Sequence, residues 1–377
     1  MKYIKQFPDS HYYFVWKESD DYVIPNVCLL GGAVPVYNAA IPAEYEGEVD
    51  LPLYFEALED GLTMLFSGYI GASTQYSLDN LTWVDLPNGT YSPSINTGER
   101  IYFRAYDLDS MYTDEPCIGS FSASKKHNLG GNIMSMLHGD DFKGKTELTG
   151  MRGFCDLFFG CDVVSARNLA LPATTLIPLC YCNMFGGCEY LIDTPMLPAT
   201  TLAEKCYYYM YTECTSLTIA STLPAMNLAP KCYDGMYYGC ECLILPPQLP
   251  ATILATQCYQ AMFADCESLI IAPALPATTL VGGCYQSMFD GCWELREAPV
   301  LPALKLEQYC YQRMFRNCNY LKNIKMLATD VSANNCMDEW VKYVSDAGKF
   351  IKNKEATWDI TGNNGIPEGW TIEYADA

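Results

Sequence analysis

The sequence predicts an α/β solenoid of leucine-rich-type repeats preceded by an all-β sandwich. Three observations point there. Leu-Pro begins at positions 171, 197, 223, 249, 275 and 301, and Leu327-Ala328 continues the series at the same spacing of 26. A cysteine stands nine residues after each of these leucines, from Cys180 and Cys206 through Cys232, Cys258, Cys284 and Cys310 to Cys336. Ahead of the repeats lie short β-type runs separated by turn residues. A fixed period in the 20–29 range with leucines at constant phase is the signature of stacked one-unit-per-turn architectures.

Each unit divides in two. Cys-Tyr-x-x-Met-Phe/Tyr-x-x-Cys puts Cys, Met and Cys at i, i+4 and i+8, for example Cys258, Met262 and Cys266, which is one face of a short α- or 3₁₀-helix. The other half, as in Leu269-Ile-Ile-Ala-Pro-Ala-Leu275, is apolar, β-branched and broken by proline, which predicts a short strand and a turn. Pro195, Pro247, Pro273 and Pro299 fall near the strand's end, where a missing N–H harms a ladder least. The cysteine columns are expected to fill a narrow core as small buried thiols.

Four runs precede the repeats: 61–67, 74–78, 81–86 and 100–105, with Asp79-Asn80, Pro87-Asn-Gly89 and Thr97-Gly98 as turns. They predict a β-sandwich over 53–125. Residues 126–160 are expected to be a linker and N-terminal cap, 161–336 the repeats, and 337–377 a C-terminal cap whose stretch 337–347 is amphipathic enough for a closing helix. Residues 1–52 are expected to form an N-terminal module.

Composition narrows the function. The chain has 377 residues and a formal net charge of -21, which disfavours nucleic acid and anionic membrane as partners. The first 150 residues carry 21 acids against 9 bases. After Met1-Lys-Tyr-Ile-Lys, the residues Asp9, His11, Glu18 and Asp20 interrupt any apolar core of a standard leader, and no run reaches 18 apolar residues, so neither signal peptide nor membrane insertion is expected.

Met-Phe-x-x-Cys-x-x-Leu followed by a proline-containing strand resembles the repeat of BspA-type leucine-rich repeat proteins, over about half of the chain. It departs from that pattern in having Met at the first position and a 26-residue unit. The resemblance implies an adhesin, surface protein or virion component without a shared catalytic centre. The opening Met1-Lys-Tyr-Ile-Lys-Gln-Phe7 and Asp21-Tyr-Val-Ile-Pro-Asn-Val-Cys28 resemble a module on virion proteins of Bacteroides phages, crAss-like ones included. Tyr76-Ser-Leu-Asp-Asn-Leu-Thr-Trp83 and Gly98-Glu-Arg-Ile-Tyr-Phe-Arg-Ala105 resemble immunoglobulin-like modules of bacterial surface proteins.

Little catalytic chemistry is visible. His11, His127 and His138 lie outside the repeats and apart, and the pairs Cys180/Cys182 and Cys240/Cys242 lack histidine partners at ligand spacing. Asp140-Asp141 reads as a solvated turn, and no P-loop, dinucleotide fingerprint or nucleophile elbow occurs. No enzyme activity, cofactor or metal is expected.

Two sets of positions are candidates for binding. Tyr181, Tyr207, Tyr233, Tyr259, Tyr285 and Tyr311 form an aromatic column of the kind that stacks on sugars, although such regularity also suits packing between units. Ile192, Asp193, Thr218, Ile244, Ile270, Arg296, Glu297 and Lys322 follow the strand leucine and change from apolar to charged along the chain. Ordinary surface drift would give the same change. The expected function is non-enzymatic binding, as a phage tail or fibre component made in the host cytoplasm that recognises host-surface polysaccharide or protein. Its N-terminal module would meet other virion proteins, and homo-oligomerisation is compatible with that role. A BspA-type adhesin at the bacterial cell surface and a purely structural virion protein are the alternatives.

Overall fold

The computed structural model describes residues 4–6, 13–15, 47–68, 73–106, 117–148 and 153–375. Strands β1 (Ile4–Gln6) and β2 (Tyr13–Val15) pair antiparallel, with Ile4 opposite Val15, within a compact unit Met1–Glu46. Residues 47–52 of the expected N-terminal module fall in the second unit, and apart from β1 and β2 the rest of it, with His11 and the stretch 21–28, lies outside the described residues. Gly47–Ala377 form the second unit.

That unit begins with a six-stranded sheet. Its strands are β3 (Leu53–Ala57), β5 (Ser73–Ser77), β6 (Val84–Leu86), β7 (Arg100–Tyr106), β9 (His127–Asn132) and β10 (Val163–Ala170), in the order β10-β9-β3-β7-β5-β6. Strands β4 (Met64–Gly68) and β8 (Gly119–Ala123) form an antiparallel pair, and period-two alternation turns Met64, Phe66 and Phe121 inward. Phe121 lies 4.8 Å from Phe55 and 5.0 Å from Phe103, ring centroid to ring centroid, so the pair packs on the sheet through aromatic contacts. At Gly131 (φ 79°) a Cβ would fall 1.9 Å from the Pro52 carbonyl oxygen, which only glycine avoids. His127 is buried in this core with Nδ1 2.9 Å from the Lys125 carbonyl oxygen, and desolvation pushes its pKa down to about 4.

The expected immunoglobulin-like sandwich preceding the repeats is not what forms. β9 pairs parallel with β10, and β10 already belongs to the repeat region. Phe121 also stacks on Phe158 at 6.0 Å, while the Cys161 thiol donates to the Phe121 carbonyl at 3.1 Å. The front sheet therefore has a mixed strand arrangement and shares its core with the repeats.

The α/β solenoid of leucine-rich-type repeats is likewise corrected. Among the described residues the one α-helix is α1 (Ser135–His138), outside the repeats. The Cys-Tyr-x-x-Met segments are chains of turns, with a left-handed residue at every fourth position: Lys205, Tyr209 and Glu213 at φ 55°, 53° and 57°, then Gln257, Ala261 and Asp265 at 56°, 49° and 58°. A left-handed residue interrupts a right-handed helix at once. The same four-residue period still returns Cys, Met and Cys to one face, which is why the spacing imitates a helix.

Alternate backbone N–H groups take different partners. Tyr208, Met210 and Thr212 donate three residues back, to the carbonyls of Lys205, Tyr207 and Tyr209, at 3.1–3.2 Å. Tyr207, Tyr209 and Tyr211 instead donate to Cys232, Asp234 and Met236 of the following unit, at 2.9–3.0 Å. A helix would need all of these donors for itself.

The other half forms isolated parallel bridges, such as Thr175 to Thr201, Ile219 to Leu245 and Ile271 to Glu297. Prolines at 172, 195, 198, 246, 247, 250 and equivalent positions remove the donors that would extend these bridges into strands. The closing helix expected over 337–347 does not form either. Asn335, Glu339 and Tyr343 repeat the left-handed positions, and Trp340 is buried 6.3 Å from Tyr311. A parallel three-stranded sheet of β11 (Asn323–Met326), β12 (Lys349–Asn353) and β13 (Thr371–Ala375) follows. No helix among the described residues is long and apolar enough to cross a membrane.

The units meet through two columns of rings. Tyr207, Tyr233 and Tyr259 stack at 5.7 Å, and Tyr211, Tyr237 and Phe263 at 5.4 and 5.8 Å, all within 11° of parallel. The Tyr237 hydroxyl is buried without a hydrogen-bond partner, and Phe185, Phe263, Phe289 and Phe315 occupy the same phase in other units. Tyr237→Phe is therefore expected to leave chemical-denaturation stability unchanged or raised, whereas Tyr237→Ala should lose about 3–5 kcal/mol. A clear loss in the Phe variant would mean that the hydroxyl is bonded.

Candidate binding face

The residues after each strand leucine run in one row across the units. Backbone bonds link Ile192 N to Val164 O at 3.0 Å, Ile244 N to Thr218 O at 3.2 Å, Arg296 N to Ile270 O at 3.2 Å and Lys322 N to Arg296 O at 3.1 Å. Lys349 N extends the row by bonding Lys322 O at 2.7 Å. The hydrogen bonding that stacks the units thus lines up their variable side chains.

Exposure divides the predicted residues. Ile192 is 47% exposed, Thr218, Ile244 and Ile270 are half-buried, and Arg296, Glu297 and Lys322 are exposed. Ile219, at 44%, widens the apolar part of the row. Asp193 instead ties two units together. Its Oδ1 accepts from Ser165 Oγ at 2.7 Å and from the backbone N–H groups of Ala166 and Arg167 at 3.1 Å. Burial raises its pKa against the lowering effect of those bonds. The six column tyrosines are at most 2% exposed, each covered by rings of adjoining units, and so present no face to a ligand.

Two aromatics join the row that the phase after the leucine does not reveal. Trp293 is 48% and Tyr320 is 53% exposed, and Tyr320 N donates to Trp293 O at 3.3 Å, so they sit on adjoining units. They lie three and two positions before Arg296 and Lys322, at the charged end of the row. Arg296 Nη2 is 3.9 Å from Glu294 Oε2. The sequence does carry a signal for Trp293: its phase otherwise holds Glu189, Thr215, Glu241, Glu267 and Asn319, all polar. Exposed Trp and Tyr beside Arg, Lys and Glu offer flat apolar area rimmed by charge, suited to gripping a sugar ring or a protein side chain.

Other polar groups are structural. Asp140 accepts from Arg104, and Asp290 accepts from Arg316 Nε at 2.9 Å and Asn317 Nδ2 at 3.1 Å. In the second cysteine column, Cys214, Cys240, Cys266, Cys292 and Cys318 donate through Sγ to a carbonyl of the preceding unit at 3.0–3.2 Å. Full burial drives these thiols above their ordinary pKa, which suppresses the thiolate needed for chemistry.

No family model matches this sequence, and no curated protein or solved structure matches it either.

One buried carboxylate has little to offset its burial. Asp234 is 2% exposed, its Oδ1 lacks a partner, and desolvation raises its pKa to about 7 despite Lys231 and Lys205. Between the ordinary carboxylate pKa of 3.8 and about 7 the folded chain holds a proton that the unfolded chain releases, so this residue's contribution to stability falls as pH rises. Asp234→Asn should raise the melting temperature, with a larger gain at pH 8 than at pH 4. An equal gain at both would overturn the assignment.

Proposed function

We propose that this chain is a non-enzymatic binding protein that recognises a host-surface glycan or protein through the charged end of the row. The observation that carries the reading is the alignment of exposed Trp293 and Tyr320 with Arg296, Glu297 and Lys322 on adjoining units. Rigid aromatics lose little conformational entropy on binding, and the backbone ladder beneath them holds their spacing. The apolar stretch from Ile192 to Ile270 extends the same row and supports an elongated partner.

We further propose that the setting is a virion of a Bacteroidetes-infecting phage, with residues 1–52 joining the chain to other virion proteins. That part rests on the likeness of the N-terminal segment to virion modules. The -21 net charge suits a partner read by aromatic stacking and hydrogen bonds more than a polyanion.

The full chain, incubated with intact Bacteroides cells and with their purified surface polysaccharide, should bind one or the other. Trp293→Ala combined with Lys322→Ala should weaken that binding at least tenfold, about 1.4 kcal/mol, without changing the melting temperature. Binding that survives the double variant would remove this patch from the reading. No binding to either probe would favour a purely structural virion role.

A further inference from the structure

One group of cysteines differs from the ladder. Cys117, Cys155 and Asp156 have ligand atoms all within 4.8 Å of one another. The Cys155 thiol donates to Asp156 Oδ2 at 3.2 Å, and the Cys182 thiol stands next to that of Cys155. Cys117, Asp156 and Cys182 are half-buried, whereas the ladder cysteines Cys206, Cys240 and Cys266 are wholly buried.

Their convergence has a structural cause. Phe154 stacks on Tyr181 at 5.9 Å, and Asp156 N donates to Cys182 O at 3.0 Å, so the first, imperfect unit lies over the first full one with Cys155 beside Cys182. Cys117 arrives from the segment leading into β8, where it bridges to Gly153 and Ile118 N bonds Gly153 O at 3.3 Å. The later units carry Tyr208, Asp234, Gln260, Gln286 and Gln312 at the phase of Cys182, so core packing does not require cysteine there.

We propose that Cys117, Cys155, Cys182 and Asp156 form a binding site for a zinc-type divalent cation that clamps the segment leading into β8 to the first two units. Three thiolates and one carboxylate are a donor set for a four-coordinate soft cation. With metal–sulfur distances near 2.3 Å, neighbouring ligand atoms stand roughly 3.7 Å apart, a small contraction for Cys117, Cys155 and Asp156, which the Cys182 side chain joins by turning in from beside Cys155. Asn183 Nδ2 donates to Asp156 Oδ1 at 2.7 Å, leaving Oδ2 toward Cys155, which is how an outer residue orients a metal ligand. Binding releases one proton from each thiol, so affinity rises with pH.

The test titrates the reduced, metal-free full chain with Co²⁺ and with Cd²⁺, reading the sulfur-to-metal charge-transfer band and the melting temperature. One equivalent per chain should produce the band and a higher melting temperature. Cys182→Gln, which installs the residue later units carry at that phase, and Asp156→Asn should each weaken binding at least tenfold. Cys242→Ser, at an exposed cysteine elsewhere, should change nothing. Absence of the band, or undiminished binding in Cys182→Gln, overturns the site. Isolation without oxygen of a chain whose Cys155 is in a disulfide with Cys117 or Cys182 also overturns it.

Discussion

Everything in the repeat region follows from how its backbone N–H groups are shared. One donor closes the local turn, and the next reaches across to the following unit, as with Tyr208 and Tyr209. In the turn segment of each unit half of the donors are satisfied locally and half by a neighbour, so that segment by itself would leave N–H groups unpaired at every second residue. Buried donors without partners are costly, which makes the stack cooperative between neighbours and makes its two ends special. Trp340 and the parallel sheet β11–β13 close one end. At the other end β9 of the front sheet pairs with β10, and Phe121 of β8 seats on Phe158.

The alternation also explains the side chains. Two residues in every four turn inward, so cysteine, methionine and two ring columns fill the core in a fixed order, and the small thiols leave room for rings spaced near 5.7 Å. Thiol donation to carbonyls of the preceding unit, as from Cys240 to Tyr211, adds a second link at each step. The functional positions are what this scheme leaves over. Where the phase faces solvent, identity is free to vary, and Trp293, Arg296, Tyr320 and Lys322 occur there. The cysteines at 117, 155 and 182 occur where the scheme is interrupted at its start.

The columns of Cys, Met and Tyr are legible in the sequence because a 26-residue period places each type at one phase, and the structure buries them. The candidate row from Ile192 to Lys322 is legible for the complementary reason, namely variation at constant phase. Asp193 shares that variation without sharing the role, since its carboxylate caps backbone N–H groups of the preceding unit. Those contacts join residues 26–28 apart, which no local pattern displays. Trp293 lies outside the phase that follows the leucine, although its replacement of a polar residue is visible in the repeats.

The sequence by itself determined the period, the phase of every core side chain and the absence of long insertions, because these depend only on which residues recur. Tertiary structure decided the conformation within the period. A four-residue recurrence of apolar side chains is produced equally by a helix and by turns with a left-handed residue at every fourth position, and only the carbonyls of the next unit select between them by taking the alternate N–H groups. The same neighbour effect replaced expected strands with isolated bridges between prolines, merged the expected separate sandwich into one core with the repeats, and brought Cys117, just ahead of β8, to Cys155 and Cys182.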